Sequence, residues 1–113
     1  MLLEIQQHEV KPGVMVVKLT GSVMRGPESQ QLEVLVPALL AQGYRTIVFD
    51  LSEVKRIDST GIGRFIFSLN AVDQAGGQMR MAGATGYVRD CFRVTRLDTV
   101  FQFSPTIEQA CAE

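Results

Sequence analysis

Apolar residues recur at two spacings along this chain, and the switch between them divides it into elements. Leu3 to Val10 and Val14 to Thr20 are short β-prone runs separated by Lys11, Pro12 and Gly13, which predicts a hairpin. After Gly21 the spacing becomes helical: Leu32, Leu35, Val36 and Leu39 recur at three- and four-residue steps and Gly43 stops them. Pro37 falls inside that stripe, so a kink or break is expected there. Thr46 to Phe49, ending in Asp50, reads as a buried strand, and polar Ser52 to Asp58 follow it as a connection.

A second helical stripe runs from Ile62 through Phe65, Ile66, Leu69 and Val72 to the pair Gly76-Gly77. Gln78 to Met81 is a short strand, Val88 to Leu97 a third helix, and Thr99 to Phe103 a last strand. Thr106 and Gln109 have capping-box spacing, which predicts a short terminal helix. After the opening hairpin, strands alternate with helices. That order predicts one α/β domain over residues 1–113, with a mostly parallel sheet and helices packed on it.

Composition narrows the function classes. The chain has 113 residues, enough for one compact core, and 11 basic against 12 acidic side chains, without the cationic excess that nucleic-acid binding needs. The longest apolar runs, Val14 to Val17 and Val34 to Ala41, are far short of the ~20 residues that span a bilayer. Glu4 directly follows the N-terminal Met-Leu-Leu, so no secretory signal is expected, and the cytoplasm is the expected compartment, with no membrane insertion. Two cysteines, Cys91 and Cys111, lie in separate apolar-patterned segments, which fits reduced thiols, with Cys91 a buried structural one.

The chemistry available is limited. His8 is the only histidine and lies in the first strand, which argues against a His-dependent triad or a His-rich metal site. Asp50 stands where a receiver domain would carry its phosphoacceptor, but the first strand lacks the acidic pair for magnesium, and Asp50 reads as a strand-end turn residue. Ser59 has Ile57 where an esterase elbow needs glycine. Cys91 and Arg96 are one residue too close for a cysteine-phosphatase loop. Gly61 and Gly63 lack the third glycine of a dinucleotide site, and close helix-to-sheet packing accounts for them. Arg89, Arg93 and Arg96 fall on one helical face, read as a solvated face or as an anion- or partner-docking stripe. No nucleophile–base pair can be assembled, so neither catalysis nor a cofactor or metal is expected.

The segment Ile57-Asp58-Ser59-Thr60-Gly61-Ile62-Gly63 lies where the loop after the central strand turns into an amphipathic helix. Ser59 there has two readings. It is an N-cap, its hydroxyl accepting an unpaired helix N–H, or it is an exposed acceptor of phosphate, which the helix dipole and free N–H groups would favour.

Asp58-Ser59-Thr60-Gly61-Ile62-Gly63 resembles the Asp-Ser-(Ser/Thr)-Gly-(Leu/Ile)-Gly signature of the bacterial anti-sigma-factor antagonists, the STAS domain family. Val16-Val17-Lys18-Leu19-Thr20-Gly21, Ile47-Val48-Phe49-Asp50-Leu51 and Gly76-Gly77 extend the resemblance over nearly the whole chain. It implies a non-enzymatic switch. The unmodified protein binds an anti-sigma factor with serine/threonine kinase activity and frees the sigma factor, and phosphorylation at Ser59, with Thr60 as a secondary site, ends binding. A phosphoserine phosphatase would reset it. The resemblance makes Asp58 to Gly63 the partner surface.

One departure stands out, because members commonly follow the second-strand glycine with an acidic, apolar, acidic run, whereas Gly21 is followed here by Ser22-Val23-Met24-Arg25. That points to a different partner or a more apolar docking surface, with Val23 and Met24 either exposed contacts or packed on the domain's own edge. The alternative role is a structural subunit of a transport or signalling-scaffold complex that binds a protein without a phospho-switch.

Overall fold

The computed structural model describes residues 3–112. Five strands form one sheet in the order of the chain: β1 (Leu3–Lys11), β2 (Val14–Val23), β3 (Thr46–Ile57), β4 (Gln78–Ala82) and β5 (Gln102–Ser104). The hairpin pair β1–β2 is antiparallel and every later pair is parallel. Parallel neighbours need crossovers, supplied by α1 (Pro27–Ala41), α2 (Ser59–Gln74) and α3 (Gly86–Val94); α4 (Ile107–Ala112) closes the chain. This is the expected α/β architecture.

Strand alternation sorts the core onto two faces. Met15, Val17 and Leu19 of β2, with Ile47, Phe49 and Leu51 of β3, point toward the three long helices and meet Leu32, Val36, Phe65, Val72 and Phe92. Phe92 is the hub of this layer, with ring centroids 6.1 Å from Phe65, 5.4 Å from Phe101 and 5.3 Å from Phe103. On the opposite face Val14, Val16, Val48 and Ala82 are covered by Ala110 and Cys111 of α4. Cys91 packs against the first layer and Cys111 lies in the second, so the sheet stands between the two thiols.

Several expectations are corrected. Ser52 to Asp58 is not a loop: β3 continues to Ile57, pairing with Thr20 to Val23 of β2 through two irregularities in register. Those shifts break the period-two pattern, leaving only Val54 and Ile57 buried, which hides the strand in the sequence. Pro37 does not interrupt α1, because it lies on the exposed face, where water can satisfy the carbonyl it deprives of a partner. Asp50 is a buried residue within β3, its Oδ1 accepting both the Ser52 N–H at 3.0 Å and the Ser52 hydroxyl at 2.8 Å.

The third helix ends at Val94, followed by left-handed Arg96 (φ 62°) and a single 3-10 turn, Leu97–Thr99. The arginine stripe is thereby broken. Arg89 lies over the Phe103 ring at 4.0 Å, Arg93 pairs with Asp90 at 2.7 Å, and Arg96 is off the helix. In the last strand only Gln102–Ser104 pairs, and Val100 is exposed. At α4 the Thr106 hydroxyl accepts the Gln109 N–H at 3.2 Å, one half of the expected capping box.

Candidate functional site

The signature segment sits at the C-terminal edge of the parallel sheet, where β3 passes into α2. Asp58 is extended (φ −120°, ψ −177°) and caps α2, its Oδ1 accepting the Gly61 N–H at 2.7 Å. The N-cap reading of Ser59 is therefore wrong, because the carboxylate one residue earlier holds that position. Ser59 is the first helical residue and is exposed, Thr60 is half-buried, and α2 begins as soon as Asp58 ends.

The second Asp58 oxygen reaches another part of the chain. Oδ2 accepts the Arg25 N–H at 3.0 Å, tying the β2–α1 loop to the start of α2. Burial alone would raise the Asp58 carboxyl, but N–H donors from Arg25, Gly61, Thr60 and Asp58 itself outweigh it and hold the group below its ordinary value. Asp58 thus stays ionised and fixes the loop beside Ser59.

Gly61 and Gly63 separate into two roles. A Cβ on Gly61 would overlap the Val23 carbonyl, so α2 reaches β2 only because this position has no side chain. Gly63 is different: it is exposed and a Cβ there would meet nothing within 4 Å, so the packing explanation fails for it. Ile62, between them, is half-buried against the core.

The two candidate contacts after Gly21 also separate. Val23 is fully buried among the core residues, its carbonyl accepting the Asp58 N–H at 3.4 Å, and it cannot present a side chain to a partner. Its alternation in β2 puts it inward, as the sheet's pleat requires. Met24 is half-buried, and its carbonyl accepts the Ser29 hydroxyl at 2.6 Å. Ser29 in turn accepts Arg64 Nε at 3.2 Å, and Arg64 Nη1 meets Glu33 at 3.0 Å, so α1, α2 and this loop share one polar network.

Met24 lies between two hollows. One, of about 360 Å³, is lined by Met24, Lys55, Arg56, Ile57 and Tyr87. The other, of about 450 Å³, is lined by Ser22, by Met24 to Glu28 and by Asp58. Tyr87, on the first turn of α3, donates toward the Ile57 carbonyl at 3.4 Å, and its phenol is raised by a hydrogen bond with the Cys91 thiol, which is half-buried rather than enclosed. Lys55, Arg56 and Tyr87 were not recognised from the sequence as site residues. Two stand just before Asp58, a legible position, whereas Tyr87 arrives through the fold alone.

Other candidates lie elsewhere. His8 is exposed on the edge strand β1, beside a hollow that it shares with Lys18 and Asp50 on the α4 side of the sheet. Among the described residues no group of three His, Cys, Asp or Glu side chains is placed to hold a metal ion, and no helix is long and apolar enough to cross a membrane.

A family model described as the STAS domain matches residues 6–110. A Thermotoga neapolitana relative, provisionally named an anti-sigma factor antagonist and a homolog of TM1081, is 31% identical over 74 residues. That stretch is 66% of this chain and 66%, just under two thirds, of the relative. The crystal structure of an anti-sigma factor antagonist from Mycobacterium paratuberculosis superposes with a TM-score of 0.80 at 24% identity, covering 97% of this chain and 92% of that one. The Bacillus cell fate determinant SpoIIAA in its phosphorylated form superposes with a TM-score of 0.75 at 19% identity, covering 96% and 97%. At these identities the two structures speak to the fold.

Proposed function

Because the chain belongs to the STAS domain family, we propose that it is an anti-sigma-factor antagonist, a regulatory binding module whose Ser59 switches its partner on and off. In this reading the unmodified protein docks an anti-sigma factor that has serine/threonine kinase activity, through the Asp58 to Gly63 surface and Met24. The kinase phosphorylates Ser59, the complex dissociates, and a phosphoserine phosphatase restores the binding form. The protein itself performs no catalysis.

The observation that carries the reading is the exposed Ser59 hydroxyl at the first position of α2, immediately after a cap that is tied in two directions. A kinase can reach that hydroxyl without unfolding the loop. A phosphate there brings a charge of about −1.5 to −2, tolerated by the helix N-terminus but costly inside a close-packed contact. The named relatives support the antagonist role; the switch rests on Ser59 itself.

The test uses three baits, wild type, Ser59→Ala and Ser59→Asp, against lysate of the source cells, with retained proteins identified by mass spectrometry. The expected result is an ATP-binding anti-sigma factor held by wild type and Ser59→Ala and lost with Ser59→Asp. Incubation with ATP should phosphorylate wild type and leave Ser59→Ala unmodified. Equal retention by all three baits, or retention of a transporter or large assembly instead, would overturn the switch.

A further inference from the structure

Three exposed cations lie in the two segments that meet at Asp58. Arg25 follows Met24 on the β2–α1 loop, and Lys55 and Arg56 are exposed at the end of β3. The hollow between Met24 and Tyr87 has Lys55 and Arg56 on its wall and no carboxylate among its lining residues. Glu53 approaches Lys55 only to 3.9 Å, with both side chains at least half exposed, a pair too weak to occupy the ammonium. The carboxylates of the neighbouring hollow are Glu28 and Asp58, and both Asp58 oxygens already accept backbone N–H groups.

The same hollow is apolar elsewhere. Met24 and Ile57 line it, and Tyr87, 60% exposed, offers a ring that nothing in the chain covers completely. An aromatic ring beside a guanidinium is the composition of interface anchor points.

We propose that the Met24–Arg56–Tyr87 hollow determines partner specificity, and that it fits a protein segment presenting a carboxylate beside an apolar side chain. The inference rests on the reading that the Ser59 surface docks a protein, and it names the chemistry of that protein. The apolar group enters between Met24 and Tyr87 while its carboxylate meets Arg56 and Lys55. Charge complementarity of this kind selects partners and speeds encounter.

The test is a calorimetric titration of the anti-sigma factor retained by Ser59→Ala, at about 50 and about 200 mM salt, a range that changes screening substantially. The proteins compared are wild type, Arg56→Glu, Lys55→Glu, Tyr87→Ala and Lys11→Glu, the last altering a cation at the opposite end of the sheet. Arg56→Glu and Tyr87→Ala are expected to weaken binding roughly tenfold or more, Lys55→Glu less, and Lys11→Glu hardly at all. Added salt should weaken wild type more than Arg56→Glu. Wild-type affinity and an unchanged salt response in Arg56→Glu and Lys55→Glu would overturn the proposal. If Ser59→Asp abolishes binding in that case, the phospho-switch stands and only the partner chemistry is wrong. If Ser59→Asp also binds like wild type, both fall.

Discussion

The Asp58 carboxylate accepts the backbone N–H of Arg25 at 3.0 Å across 33 residues of sequence. With the 2.7 Å bond to Gly61, one side chain sets the start of α2 and the position of the β2–α1 loop together. Asp58→Ala is therefore expected to cost about 1–2 kcal/mol at neutral pH, the upper range for a lost helix cap. Urea denaturation reads the cost, and Asn, which keeps one acceptor, should lose less. Because the folded carboxyl lies below its ordinary value of 3.8, its contribution is complete above that pH and disappears as pH falls through the folded value. The stability gap between wild type and Asp58→Ala should close in acid; a gap constant down to about pH 2 would refute the assignment.

Gly61 and Gly63 make a matched pair. Gly61→Ala has to displace the Val23 backbone and should destabilise by about 1–3 kcal/mol. Gly63→Ala enters open space in a helix and should stabilise by about 0.5–1 kcal/mol while weakening partner binding, since a methyl group then stands on the face proposed to dock the partner. Thermal unfolding and titration with the partner separate the two. Equal losses of stability would show that Gly63 is also a packing glycine.

Ser59 modification should change the surface and leave the fold intact. Phosphorylation, or Ser59→Asp, adds negative charge at the first turn of α2, which the helix end favours by about 0.3–1 kcal/mol. The midpoint of thermal unfolding should rise slightly or stay level while partner binding is lost. A fall of many degrees would mean that binding is lost through unfolding instead.

Phe92 touches three other rings in the layer between the sheet and its helices, and it is fully buried. Phe92→Ala should cost about 3–5 kcal/mol, a large part of the ~5–15 kcal/mol that holds a domain of this size together. The urea midpoint checks this, and a loss below about 1 kcal/mol would show that the layer repacks around the vacancy.

The alternation of strands and helices, the hairpin, and the signature at the head of α2 were all legible in the chain, because each depends on residues close in sequence. Strand length was less legible. The second half of β3 carries few buried side chains and two irregularities in pairing, so its strand character comes from hydrogen bonds to β2 rather than from its own pattern. Helical spacing puts Arg89, Arg93 and Arg96 on one stripe, but Arg96 is left-handed and lies beyond the end of α3, and Arg89 packs on Phe103.

By itself the sequence determined which segments are apolar on one face, where glycine ends them, and that an acidic residue followed by two hydroxyls opens a helix; these are local properties of neighbouring residues. Only the tertiary structure decided that Val23 is core and Met24 surface, that Asp58 rather than Ser59 is the cap, and that Tyr87 stands beside Arg56. The cap bond itself spans only three residues, but the second Asp58 bond to Arg25, the burial of Val23 under Gly61 and the place of Tyr87 depend on contacts between residues about 30 positions apart or more, set by sheet register and crossover packing.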